Sequence, residues 1–481
     1  MKIVLIKAGA VKSVHPLVVQ PLGIMYLAAV AREAGHNVRL IDAKSEGLSG
    51  ESAIALAKRL APDLVGISGF ANEWESFEQM GRLSKQRMPN VTLIGGGPYA
   101  TSFPEEILQR APFDYLVLGE GERTLLELLE CLSRDGSPHK VRGLAYRENG
   151  GIAYSPAQPV IEDLDVLPIP AYDLLDMNLY TKHLTASPLG RRRNMTVMTA
   201  RGCPYRCIYC HNIFGKAFRA KSVDKVIEEW SLLARTYKIQ HFEICDDIFN
   251  FDRDRLMAIC DRVVKEKLDI RLSFPTGLRG DRMDREMIAA LKRAGTVMIS
   301  YAVESASPRI QALIKKNIAF DKISRTIKET VRQGIFTHAF FMLGFPGETE
   351  EEMKLTLDFA LHSNLHTASF FIVTPFKGTE LWDYVPEKLR DSVTDDWFSF
   401  HGGYVNLSRL PDSRLMSFRQ KAYLRYYLNP GRVFRIVIRH PNRRFLPEAL
   451  LILLRQIRNK PLSGRSVRRR RSCARYFTSE V

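Results

Sequence analysis

Three cysteines fall within eight positions, Cys203, Cys207 and Cys210, in the run Arg201-Gly-Cys-Pro-Tyr-Arg-Cys-Ile-Tyr-Cys-His-Asn212. Thiolates at CxxxCxxC spacing can wrap one soft metal centre, and Gly202 permits the sharp turn such a loop needs. A structural zinc ion takes four protein ligands, so His211 or a remote side chain would have to be the fourth, without the repeated CxxC pairs common in such sites. Cys207 to His211 also spells CxxCH, the spacing of covalent haem attachment. That chemistry needs export, and Met1 to Ala8 reads as a strand rather than a signal peptide. A disulfide is disfavoured in a chain with no secretory start. The remaining reading is an iron–sulfur cluster on three thiolates, with one iron left open.

With aromatic Tyr209 just before the third cysteine, this loop resembles the radical S-adenosylmethionine (radical SAM) superfamily. The resemblance implies a 4Fe-4S cluster on Cys203, Cys207 and Cys210. Its open iron would bind SAM, and reduction by an external flavodoxin or ferredoxin type donor would yield a 5′-deoxyadenosyl radical. Residues further on match the family's SAM site in order. Tyr209 belongs to the cluster loop, and Asp246 and Asp247 end a strand where the methionyl ammonium is received. Arg279 lies near the SAM carboxylate, Glu304 and Ser305 form the acid-serine turn, and Gly344 lies in the Gly-Phe-Pro-Gly-Glu-Thr349 turn beside the adenine. Each has a plainer use: paired acids cap helices, and Thr349-Glu-Glu-Glu352 is a good helix start.

The elements that position these residues alternate. Lys2–Lys7, Asn37–Ile41, Leu64–Ser68, Val91–Ile94 and Tyr115–Leu118 read as strands, with helical periodicity between them. That pattern is a parallel, doubly wound (Rossmann-like) α/β sheet, which takes ligands at the carboxyl ends of its strands. Small residues gather at those ends: Ala8 and Gly9, Ser68 and Gly69, Gly95, Gly96 and Gly97, then Gly119 and Glu120. No GxGxxG follows the first strand, which disfavours a dinucleotide. The phrases Gln20-Pro-Leu-Gly-Ile-Met-Tyr-Leu, Gly96-Gly-Pro-Tyr-Ala-Thr101 and Leu118-Gly-Glu-Gly-Glu-Arg-Thr124 resemble the cobalamin-binding domain of the B12-dependent radical SAM branch. The resemblance implies cobalamin contacts at those strand ends. The DxHxxG motif that supplies an axial histidine elsewhere is absent, and the resemblance implies a cobalt without a protein histidine; His15 is the alternative ligand, though a lone loop histidine is more often polar surface.

From Asp135 to Arg193, a hairpin round Asn149-Gly150 and a proline-rich connector are expected. A second alternation from Met195 to Thr374 suits a partial (β/α)6 radical SAM barrel, with the cysteine loop after its first strand. The expected domains are 1–134, 135–193, 194–385, and a helical, basic region at 386–481. The net charge is +17, and 14 Lys or Arg against 2 Glu place +12 of it in Gly431–Val481. Runs 432–439 and 446–458 read as basic amphipathic helices that could lie on an anionic membrane; nucleic acid is disfavoured. Aromatics at 395–401 and 423–427 could wall a cavity or simply pack.

No apolar run reaches membrane-span length, so the expected compartment is the cytoplasm, with possible peripheral contact at the inner membrane face. The expected activity is methylation of an unactivated carbon of a small molecule, apolar or amphiphilic. A SAM-derived radical would abstract hydrogen and methylcobalamin would donate the methyl group. Oxidative cyclisation, ring rearrangement, or a non-enzymatic corrinoid or iron–sulfur sensor are the alternatives.

Overall fold

The computed structural model describes all residues except 10–17, 135, 188, 212, 391–404 and 459–481. His15, the aromatic run at 395–401 and the arginine run at 465–475 lie outside the described residues. The chain forms two compact units, one built mainly from Met1–Leu184 and one from Thr185 onward.

The first unit holds a seven-stranded sheet in the order β2-β1-β3-β4-β5-β6-β7. Its strands are β1 (Lys2–Lys7), β2 (Asn37–Asp42), β3 (Leu64–Ser68), β4 (Thr92–Gly96), β5 (Tyr115–Val117), β6 (Leu144–Glu148) and β7 (Gly151–Tyr154). The first five pair in parallel. Their apolar runs are buried on both faces, as helix-covered parallel strands require. Helices α1 (Leu22–Glu33), α2 (Gly50–Arg59), α3 (Trp74–Arg87), α4 (Gly97–Ser102), α5 (Pro104–Arg110) and α6 (Gly121–Ser133) join them.

The hairpin does not belong to a linker, as the sequence suggested. β6 pairs antiparallel with β5, and β7 with β6, so the sheet continues through it. Unpaired edge groups on β5 are thereby satisfied, and Leu144 and Ala145 are buried in the core. The expected boundary at 134 consequently falls inside this unit, which extends to Leu184.

The second unit contains six parallel strands in sequence order. They are β8 (Asn194–Val197), β9 (His241–Ile244), β10 (Arg271–Leu278), β11 (Thr296–Glu304), β12 (Phe336–Leu343) and β13 (Thr367–Ile372). Between them run α7 (Val223–Arg235), α8 (Arg253–Lys265), α9 (Arg285–Arg293), α10 (Pro308–Leu313), α11 (Phe320–Arg332) and α12 (Glu350–His362). Ser222, Asp252, Asp284, Ser307 and Thr349 accept from backbone N–H groups at helix starts.

Among the described residues the sheet is open, with β13 at one edge. Helix α13 (Asp412–Tyr427) covers it: the Tyr423 hydroxyl accepts from Phe370 N at 3.0 Å, and Tyr427 accepts from Ala368 N at 3.0 Å. These aromatics therefore cap a strand edge rather than wall a cavity. Helices α14 (Pro430–Arg439) and α15 (Leu446–Arg458) follow. Among the described residues, no helix is long and apolar enough to cross a membrane.

Candidate active site

The cysteine loop leaves the carboxyl end of β8 and is clamped along its length. Asp246, at the end of β9, accepts from Thr199 N and Thr199 Oγ1, both at 2.6 Å. Burial pushes its carboxyl up, against the Thr199 hydrogen bonds that pull it down. Asp247 Oδ2 accepts from Gly202 N at 2.9 Å, and Gly202 turns with φ of +82°. Inside the loop, Ile208 donates its N–H to Ile314 O at 3.3 Å and accepts from Leu381 N at 2.8 Å. Its side chain is buried with Ile310, Ile314, Phe345 and Val373. The backbone is thus held where it enters the loop and again between the second and third cysteines.

Cys203 and Cys207 are half-buried, Cys210 is exposed, and all three are free thiols. Burial pushes the Cys203 thiol up, and Asp247 and the Cys207 sulfur add to it. Among the described residues, no three His, Cys, Asp or Glu side chains converge as on a single ion. Sulfurs sharing one zinc lie roughly 4 Å apart, whereas thiolates on a cuboidal cluster each bind a different iron and stand wider. Three free thiols on one clamped loop suit such a cluster.

Tyr209, between the second and third cysteines, meets Glu304 and Lys316. Lys316 Nζ lies 3.0 Å from the Tyr209 hydroxyl and 3.1 Å from Glu304 Oε1, and that hydroxyl is 3.4 Å from Glu304 Oε1. Burial, then Glu304, pushes the Tyr209 phenol well up. Glu304 ends β11 with φ of +68°, a conformation L residues rarely adopt. Lys316 was missed in the sequence; only its position shortly after the strand-end acid could have marked it.

Other residues expected at SAM have partners within the protein. The Arg279 guanidinium, expected beside the SAM carboxylate, holds Asp281 at 2.9 and 3.2 Å, donates to Lys316 O at 2.7 Å, and stacks on Tyr205 at 4.0 Å. The Ser305 hydroxyl is fully buried between Thr356 Oγ1 and Ser307 N, both at 3.2 Å. The Asp246 and Asp247 carboxylates fix the loop, as described. Gly344 turns with φ of +93°, and its N–H donates to Glu348 Oε2 at 2.7 Å. Burial pushes the Glu348 carboxyl up to about 8.

In the first unit, the strand-end glycines divide into two kinds. A Cβ at Gly95 would meet Leu116 at 2.5 Å and Phe77 at 2.9 Å, so this glycine makes room for core side chains. Gly69 likewise faces Phe77. By contrast, Gly96 has nothing within 3.7 Å of a built Cβ, and Gly119 has nothing within 4 Å at φ of +71°. At Gly97, where φ is +86°, a built Cβ would meet Ser68 Oγ at 2.6 Å and Gly69 O at 3.2 Å, so this glycine lets the turn after β4 pack against the end of β3. Gly96 and Gly119 leave the ends of β4 and β5 open to a large ligand, a cradle that fits cobalamin. Ala8 is wholly buried, its N–H on Ser68 O, and Gly9 lies against Lys44. The Glu120 carboxylate, expected at the corrinoid, is buried, pairs with Arg219 and accepts from Ile161 N at 3.1 Å.

Two family models match, the B12 binding domain over residues 10–129 and the Radical SAM superfamily over 197–360. The "uncharacterized methyltransferase PH0819" of Pyrococcus horikoshii is 34% identical over 92% of this chain and 95% of its own. The cytidylyl-2-hydroxyethylphosphonate methyltransferase of Streptomyces wedmorensis is 29% identical, over 82% of this chain and 83% of its own. An anaerobic magnesium-protoporphyrin IX monomethyl ester cyclase of Rubrivivax gelatinosus is 25% identical, over 85% and 74%. Among solved structures, the cobalamin-dependent S-adenosylmethionine radical enzyme OxsB superposes with a TM-score of 0.72 at 18% identity, covering 95% of this chain and 75% of that one. With the clamped three-thiol loop in one unit and the glycine-opened sheet in the other, the chain belongs to the cobalamin-dependent radical SAM methyltransferase family.

Proposed function

We propose that this protein methylates an unactivated carbon of a small apolar or amphiphilic molecule, using a 4Fe-4S cluster, SAM and cobalamin, with electrons from a flavodoxin or ferredoxin type donor. The single observation that carries the reading is the loop of three free, clamped thiols in a chain that also opens its β4 and β5 ends with Gly96 and Gly119. When bound, the cluster with SAM supplies a hydrogen-abstracting radical and cobalamin supplies the methyl group.

The chain's own residues divide the work. Cys203, Cys207 and Cys210 hold the cluster. Asp246, Asp247 and Ile208 keep their loop in place, so the thiols are arranged before the metal arrives. Tyr209, Glu304 and Gly344 face SAM, with Lys316 fixing the first two. Ser68, Gly96, Gly97 and Gly119, with Gly9, cradle the corrinoid. The work is done in the cytoplasm, where thiols stay reduced.

The test is anaerobic incubation of the loaded enzyme, a reductant, SAM labelled in its methyl group and a small-molecule extract of the producing cells. Label in a product, with both S-adenosylhomocysteine and 5′-deoxyadenosine released, is the expected result. An unlabelled ring-closed product would replace methyl transfer with cyclisation.

A further inference from the structure

Helix α14 is inverted with respect to an ordinary surface helix, which buries its apolar stripe and exposes its charges. Arg432 is 1% exposed, while Val433, Phe434, Val437 and Ile438 are 43, 65, 46 and 42% exposed. The cause is polar. The Arg432 guanidinium donates to the carbonyls of Ala360 (3.3 Å), Leu361 (2.8 Å) and Ser363 (3.3 Å), where α12 ends. It also donates to Tyr426 O at 3.1 Å, and lies 3.7 Å over the Tyr426 ring. A cation at helix carboxyl ends satisfies orphan carbonyls and their dipoles. Asn429 caps the start of α14 by accepting from Arg432 N at 2.9 Å. The orientation of α14 is therefore set by hydrogen bonds, and its apolar side is left facing out.

The neighbouring helices repeat the feature. Leu424 and Leu428 on and after α13, and Leu450, Leu451 and Leu454 on α15, are also exposed. Among the described residues, nine of the sixteen exposed large apolar side chains lie between Leu424 and Leu454. Arg425, Arg439, Arg443 and Arg444 are exposed in the same stretch. Its one acid between Asp412 and Arg458, Glu448, is already paired with Arg191 at 2.8 Å.

We propose that α14 and α15 are a docking face for an anionic lipid bilayer. A partner must offer hydrocarbon to Phe434 and Leu451 and negative charge to the arginines, and an anionic lipid surface offers both. A second copy of this chain would bring arginine against arginine in a region that carries +12 of the +17 net charge. Nucleic acid would meet the charges and leave the apolar side chains in water. The face stands apart from the methyl-transfer reading, and either can fail without the other.

The experiment is flotation of the full chain with phosphatidylcholine vesicles made with and without phosphatidylglycerol, at low and high salt. Its variant is Phe434→Glu/Leu451→Glu, both positions being exposed; an unchanged melting curve shows that it folds. Expected is at least a roughly tenfold preference for the anionic vesicles, weakened by salt and lost in the variant. Three results would overturn the proposal. One is no flotation of the intact chain. Another is flotation that survives the variant but disappears when the chain is ended after Arg458, which would give the contact to the tail. The third is a lipid-free dimer dispersed by the same substitutions, with vesicles ignored.

Discussion

Lys316 Nζ lies 3.1 Å from Glu304 Oε1, joining the loop after β11 to an acid held in left-handed backbone. Both side chains are less than a tenth exposed. Removing one partner of such a pair leaves an uncompensated buried charge. We expect Lys316→Met to destabilise the protein by about 3 kcal/mol, and Glu304→Gln in addition to recover part of that. Denaturant melts of the single and double variants check this. SAM affinity, measured by equilibrium binding, should fall in Lys316→Met even at temperatures where the fold is intact.

Glu348 gives the protein a pH dependence. Its folded carboxyl titrates at about 8, against an ordinary value of 4.5, so the folded state holds a proton that the unfolded chain has released. Stability from this group is complete below about 4.5 and is lost as pH rises through about 8. Glu348→Gln keeps an oxygen for Gly344 N and Phe345 N. It should therefore flatten the decline in melting temperature between about pH 4.5 and about pH 8, the window in which the carboxyl is ionised in the unfolded chain and protonated in the folded one.

Gly97 tests the corrinoid cradle. A Cβ there would lie 2.6 Å from Ser68 Oγ at φ of +86°. Gly97→Ala should cost about 1–2 kcal/mol in backbone strain and lower cobalamin retention on gel filtration. Gly119→Ala carries similar strain at φ of +71° but meets no neighbour within 4 Å, so any loss of cobalamin there would come from the ligand side.

The buried pair Glu120 and Arg219 belongs to the fold rather than to a ligand. Arg219→Met should lower stability by about 3–5 kcal/mol, while Glu120→Gln/Arg219→Met together cost less. Thermal melts without cofactors decide it, because a ligand contact would change nothing there.

Much of this was legible in the sequence because it is written in local periods. Strands such as Lys2–Lys7 and helices such as Trp74–Arg87 follow from spacing alone. The cysteine triplet was legible because three thiols at that spacing have few uses. The hairpin at Asn149-Gly150 was legible as a hairpin but not as sheet, since pairing with β5 is a contact distant in sequence. Side-chain direction at strand ends was not legible. Arg279, Ser305 and Glu120 occupy positions where a side chain can face either a ligand or its own loop, and the partners they take, such as Thr356 for Ser305 and Arg219 for Glu120, are distant in sequence. Lys316 was hidden among 70 basic residues because its partners, Tyr209 and Glu304, are distant in sequence.

In the proposed reading three side chains, and no fourth, hold a cluster that cleaves SAM. Anaerobic reconstitution with iron and sulfide, followed by iron counting and measurement of 5′-deoxyadenosine after reduction with SAM, tests it. Expected are roughly four irons per chain and reductive SAM cleavage, with both lost when Cys203, Cys207 and Cys210 are replaced by alanine. A single tightly held zinc, or SAM cleavage undiminished in the triple variant, would contradict it.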